Sequence, residues 1–249
     1  MGLTKKSLYT LSVVFVAIQS ILYPIILFAS GDIVNITQFI AITVSFIYSL
    51  IILYNDKKSY LTSLALFFTV IADLFLVLLN CFAPFDSLQT VAMAVFSFAH
   101  ICYFLRLFFS EVDLKRRKAH LLVRVLVVIA GIFISLAVTG FKVDWLLTIT
   151  VFYFANLVLN CIFACFNFKV DKLFAIGLIL FVLCDIFVGL EVGISYEEGA
   201  YIIVEESSFL YKLSHPDISI IWTFYLPSQT LIPLSVLYWR IRDKKFNNK

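Results

Sequence analysis

The sequence predicts an all-α, polytopic membrane protein: one bundle of eight transmembrane helices with both termini in the cytoplasm. Three observations carry this. Hydrophobic residues make up 62% of the 249 residues and charged residues 14%, with a mean hydropathy of +1.02. A soluble domain is about 45–50% apolar and about 25% charged. The apolar residues fall in eight continuous runs of about 20 residues each, the length that crosses a bilayer. The basic residues collect on one side of those runs.

The predicted spans are 8–28, 34–54, 60–80, 88–110, 120–140, 144–166, 172–193 and 217–239, all within a single domain covering 1–249. Charged or turn-forming residues separate them: Gly31-Asp32, Asn55 to Lys58, Pro84 to Asp86, Glu111 to Lys118, Lys142 to Asp144, and Lys169 to Lys172. The runs are continuous rather than alternating, which excludes a transmembrane barrel. The first run follows Lys5 and Lys6. It is too long for a signal core and lacks a small-residue cleavage pattern, so it reads as the first membrane helix.

Orientation follows from the cations. Lys5, Lys6, Lys57, Lys58, the Lys115–Lys118 run, Lys169, Lys172 and the basic C-terminal residues share one side. Only Lys142 and Lys212 lie on the other. The positive-inside rule makes the richer side cytoplasmic. The net charge of +3 therefore sits in short inner loops and gives no support for nucleic-acid binding. The bare loops and small size point to a bacterial plasma membrane. The outer loop from Ser195 to Pro216 holds Glu197, Glu198, Glu205 and Glu206 around an apolar Tyr201–Val204 stretch, and His215-Pro216 reads as the turn into the last helix.

The cysteines form no disulfide framework, being five in number and mostly inside apolar runs. Cys161 and Cys165 share a helical face but have no histidine near in sequence, so they read as packing residues. No phosphate-binding loop, nucleophile elbow or zinc spacing is present, and no metal or cofactor is expected. The partners expected are the lipid bilayer and a lipid substrate.

Five spans each carry a strongly polar residue near mid-depth: Asp73, His100, Asn156, Asp185 and Gln229. At about 1.5 Å per residue these lie within a few ångströms of one plane. Neighbours three, four or seven residues away share their faces: Thr69 and Asn80 with Asp73, Ser97 and Tyr103 with His100, Tyr153 and Asn160 with Asn156, and Tyr225 with Gln229. Polar groups in hydrocarbon are costly and mark functional sites. The expectation is a polar cavity inside the bundle. One protonated and one ionised aspartate is the arrangement that general acid–base chemistry needs. Asp73 and Asp185 are therefore the candidate catalytic residues. His100, Tyr103, Asn156, Tyr225 and Gln229 are the candidate supporting or substrate-binding residues. Arg106 and Arg124 read as snorkelling to the headgroups, and Gln19 and Tyr23-Pro24 as packing and a kink.

The pattern Ala72-Asp73, then Phe96-x-x-x-His100-x-x-Tyr103, then Cys184-Asp185, then Tyr225-x-x-x-Gln229 resembles the YhhN family in order and spacing. The resemblance spans the third to the eighth helix. Ala72 and Cys184 stand where the family usually has glycine and serine, and Pro227 is unusual in the last motif. The resemblance implies a lysoplasmalogenase-type enzyme. Such an enzyme hydrolyses the vinyl ether bond of lysoplasmalogens to a fatty aldehyde and a glycerophospho-headgroup. A transporter using the same polar layer, or a non-catalytic lipid-binding protein, are the alternatives. A carrier would need access from both faces; an enzyme would show a pocket open to one leaflet, with both aspartates on it.

Overall fold

The computed structural model describes residues 4–53, 57–79, 86–111, 113–195, 202–205, 207–214 and 219–247. Eight helices among them are long and apolar enough to cross a membrane. These are α1 (Lys5–Phe28), α2 (Asp32–Ile51), α3 (Lys57–Asp73), α4 (Asp86–Ser110), α5 (Leu114–Val138), α6 (Trp145–Phe166), α7 (Lys172–Gly193) and α9 (Ile220–Asn247). A π-helical turn, Leu74–Leu79, continues α3. The helices match the predicted spans to within a few residues at most ends; α5 starts six residues earlier and α9 runs further past its span. The long loop before the last span carries structure of its own in its described part. It contains the short helix α8 (Phe209–Ser214) and a two-residue parallel pairing of β1 (Ile194–Ser195) with β2 (Ile202–Ile203). Asn80, Cys81, Glu197, Glu198, Glu206, His215 and Pro216 lie outside the described residues.

Local signals place the helix ends. Thr4 caps α1 by accepting from the Ser7 amide, Asp113 caps α5 through Lys115, and Asp144 caps α6 through Leu147. Each satisfies an amide that has no partner within its helix. α5 stops at Gly140, which has φ +62°, and the Phe141 amide reaches back to the Leu136 carbonyl at 2.7 Å. That is a Schellman ending, and glycine takes the left-handed conformation without a Cβ penalty.

Helices α2, α3, α4, α6, α7 and α9 close into a ring, with the most extensive packing between α7 and α9 and between α3 and α4. α1 lies outside the ring against α2 and α9, and α5 rests on α6. These two are the least buried spans. Their outward residues face lipid, which has no need of polar cover. Gln19 ties α1 to α2 by donating to the Ala41 carbonyl and Ser45 Oγ, both at 2.9 Å. Tyr23 ties α1 to α9 by donating to the Thr223 carbonyl at 3.2 Å. Pro227 has no N–H to bond that carbonyl, so the tyrosine supplies the donor that the helix lacks.

Both intramembrane arginines depart from the expectation that they snorkel. Arg106 is 1% exposed and donates to Thr62 Oγ1 on α3, Ser235 Oγ on α9 and Asp171 Oδ2 at the start of α7. Its guanidinium also lies 3.8 Å from the Phe174 ring centroid. Arg124 is buried, donates to the Oδ1 atoms of Asn156 and Asn160, and stacks 4.2 Å from Phe104. Partners on other helices let each cation stay inside rather than reach for headgroups.

Candidate active site

Asp73 ends the α-helical part of α3, and the π turn begins at the next residue. π turns recur at functional sites because they re-aim side chains within a helix. Here the turn presents Leu76 and Val77 to a cavity of about 740 Å³. Ligand pockets commonly fall between about 300 and 1,000 Å³. Asp73 and Asp185 both line this cavity, together with Tyr153, Cys184, Trp222 and Tyr225. Most of the remaining wall is aliphatic or aromatic, from Met93, Phe96 and Phe181 to Leu146 and Ile221.

A tyrosine from another helix meets each carboxylate. Tyr225 of α9 donates to Asp73 Oδ2 at 2.7 Å, and Tyr153 of α6 donates to Asp185 Oδ2. The Tyr225 ring is held edge-on by Trp222 at 5.0 Å and by Phe181 at 5.4 Å. Asp73 is buried, while Asp185 is half-buried. The two acids therefore share one chamber and are each oriented by a neutral donor. Tyr153 entered the sequence reading only as a neighbour of Asn156. Its spacing marked a face of α6 but carried no sign that α7 would answer it with Asp185.

The other polar residues of the expected layer do not line this chamber. His100 lies behind it, against the rings of Tyr153 at 4.8 Å and Phe181 at 5.1 Å. Tyr103 packs edge-on to His100 and Phe174. Gln229 is fully buried one turn inward from Tyr225. Asn156 belongs to a different contact, since Arg124 of α5 holds it. Asn160 on the same face accepts from Arg124 and donates to the His100 carbonyl at 2.9 Å. A plane counted along helix axes is thus split by the directions in which the helices point their side chains. Among the described residues, no group of three His, Cys, Asp or Glu is arranged to hold a metal ion.

The chamber occupies the half of the bundle away from the basic loops. It reaches the lipid-facing surface at Val127, Ala130 and Ile134 of α5 and at Ile186 and Gly189 of α7, all of which line it and are exposed. Two glycines shape that wall. A Cβ on Gly131 would come within 2.8 Å of Val151 Cγ1, so glycine is what lets α5 approach α6 there. A Cβ on Gly189 would meet nothing within 4 Å.

Fold and site together define an integral, multi-pass helical membrane protein whose two aspartates face an apolar chamber that reaches the lipid-facing surface. Over residues 33–236 the chain matches the model of the YhhN family, and it belongs to that family. The matched region contains every residue that builds the chamber. No curated protein and no solved structure matches the chain significantly.

Proposed function

We propose that this protein is a lysoplasmalogenase-type hydrolase, which cleaves the vinyl ether bond of single-chain ether phospholipids inside the membrane. The observation that supports it best is the pairing of Asp73 with Tyr225 and Asp185 with Tyr153 on one apolar chamber that opens toward lipid. A lipid chain fits the aliphatic walls, and the two carboxyl groups supply the polar chemistry.

The reaction needs both an acid and a base. One aspartic acid gives its proton to the vinyl carbon remote from oxygen, which leaves an oxocarbenium ion. Glycosidases pass through a related ion between two carboxyl groups. Water then adds to the carbon bonded to oxygen and loses a proton to the second aspartate, giving a hemiacetal. The hemiacetal hydroxyl returns a proton to the first aspartate as the carbon–oxygen bond to glycerol breaks. The second aspartic acid protonates the departing glycerol oxygen. The products are a fatty aldehyde and a glycerophospho-headgroup, one water is consumed, and both carboxyl groups return to their starting state.

The test is purified protein with a lysoplasmalogen, assayed for released aldehyde, beside an acyl lysophospholipid that lacks the vinyl ether. Aldehyde is expected only from the first. Asp73→Asn and Asp185→Asn are each expected to abolish release while expression is retained. Silence of the wild type, or full activity in both variants, sinks the reading.

A further inference from the structure

Two sets of hydrogen bonds fix α3, α4 and α9 against one another. At the inner set, Arg106 of α4 donates to Thr62 of α3 and Ser235 of α9. At the outer set, Tyr225 of α9 donates to Asp73 of α3. Between them the helices present Thr69 on α3, His100 and Tyr103 on α4, and Ser228 and Gln229 on α9. His100, Ser228 and Gln229 are each 0% exposed. Both ring nitrogens of His100, the Ser228 Oγ, and the Nε2 and Oε1 of Gln229 have no hydrogen-bond partner among the described residues. The Tyr103 hydroxyl is also buried and has no hydrogen-bond partner among the described residues. Pro233 adds to the count, because it has no N–H to offer the Gln229 carbonyl four residues earlier.

Buried polar atoms left unpaired destabilise a fold, and native structures satisfy them with protein groups or ordered water. A site for water needs several polar groups around it, and at this level α4 offers His100 and α9 offers Ser228 and Gln229, all buried and unpaired among the described residues. We infer that the His100–Gln229 level binds a small group of internal water molecules, placed one turn inward of Asp73 and separate from the chamber. If the hydrolase reading holds, on which this part rests, the water consumed in each cycle is drawn from this store. The chamber itself is lined mostly by hydrocarbon, so a lipid chain that fills it excludes water from that side. His100, Tyr103, Ser228 and Gln229 do not line the chamber, so a chain that fills it leaves them untouched. His100 and Gln229 are then positioning residues that act through water.

Radiolytic footprinting tests this on the intact protein in nanodiscs, because hydroxyl radicals formed from bound water mark the side chains beside it. Tyr103 and His100 are expected to be labelled rapidly. Tyr48 is the internal control: it is buried, stacked on Phe15 and hydrogen-bonded to Ser12. Gln229→Leu and, separately, Ser228→Ala are expected to reduce the labelling of Tyr103. In the aldehyde assay Gln229→Leu is expected to lower kcat about tenfold, the effect of about 1.4 kcal/mol on a barrier, with KM unchanged. Wild-type Tyr103 and His100 as protected as Tyr48 would overturn the water site. Labelling lost with kcat intact would overturn its role as the water supply. A wild type that releases no aldehyde yet labels at Tyr103 removes the hydrolase and leaves the water site standing.

Discussion

Arg106 of α4 donates to Asp171 Oδ2 across 2.6 Å, with the arginine 1% and the aspartate 13% exposed. This pair joins the C-terminal part of α4 to the residue just before α7. Removing one member of a buried ion pair leaves the other uncompensated and costs about 3–5 kcal/mol. Asp171→Ala is therefore expected to lower thermal stability in detergent sharply, by about 3 kcal/mol given its partial exposure. Arg106→Met combined with Asp171→Leu is expected to recover much of that loss. Thermal unfolding of the two variants side by side checks it.

The two tyrosines on the carboxyl groups invite a milder change. Tyr225→Phe and Tyr153→Phe keep the ring packing and remove only the donated hydrogen bond. A hydrogen bond to a charged group contributes about 1.5–3 kcal/mol, so aldehyde release is expected to fall about 10- to 100-fold in each. Stability is expected to fall as well, by up to about the same amount. Unaltered kinetics in both variants would show that the hydroxyls do not serve the reaction.

Gly189 and Gly131 are expected to separate access from folding. Gly189→Phe adds a side chain where a Cβ meets nothing within 4 Å, at a position that both lines the chamber and is exposed. Replacing a helical glycine also favours the helix by up to about 1 kcal/mol. Stability is expected to hold or rise while hydrolysis of a long-chain lysoplasmalogen falls at least tenfold. A water-soluble short-chain vinyl ether is expected to be affected less. Gly131→Leu instead forces α5 away from Val151 and is expected to lower the melting temperature.

The orientation of the bundle rests on its loop charges alone. In a cysteine-free background, a membrane-impermeant maleimide added to intact cells is expected to label Lys142→Cys and to spare Arg117→Cys. The reverse pattern would invert the topology and place the lipid chamber in the other leaflet.

The spans and their number were legible because a bilayer demands long apolar runs, and the runs here are uninterrupted. The two aspartates stood out because a carboxyl group inside such a run is costly, whether it serves chemistry or anchors one helix to another. The contacts between helices were not. Spacing along α6 shows that Tyr153, Asn156 and Asn160 share a face, but which residue answers each one depends on how α4, α5 and α7 are rotated. Hence Asn156 went to Arg124, and Tyr153 to Asp185. The arginines were misread for the same reason: Thr62, Asp171 and Ser235 are far apart in sequence and meet only in the folded ring. Gln229 and His100 matched Asp73 in depth, yet side-chain direction put them behind the chamber wall.

The π turn after Asp73 makes α3 sensitive to length. Such a turn is an α-helix carrying one residue more than its hydrogen bonds can use. Deleting a single residue between Leu74 and Leu79 would let ordinary i→i−4 bonding run through. It would re-aim Leu76 and Val77 relative to Asp73. The shortened protein is expected to melt at a higher temperature and to release no aldehyde, as happens when a strained functional element is relaxed. Many substitutions among those aliphatic residues would pass unnoticed, whereas a one-residue deletion would not. In this segment the quantity under constraint is the number of residues rather than their identity.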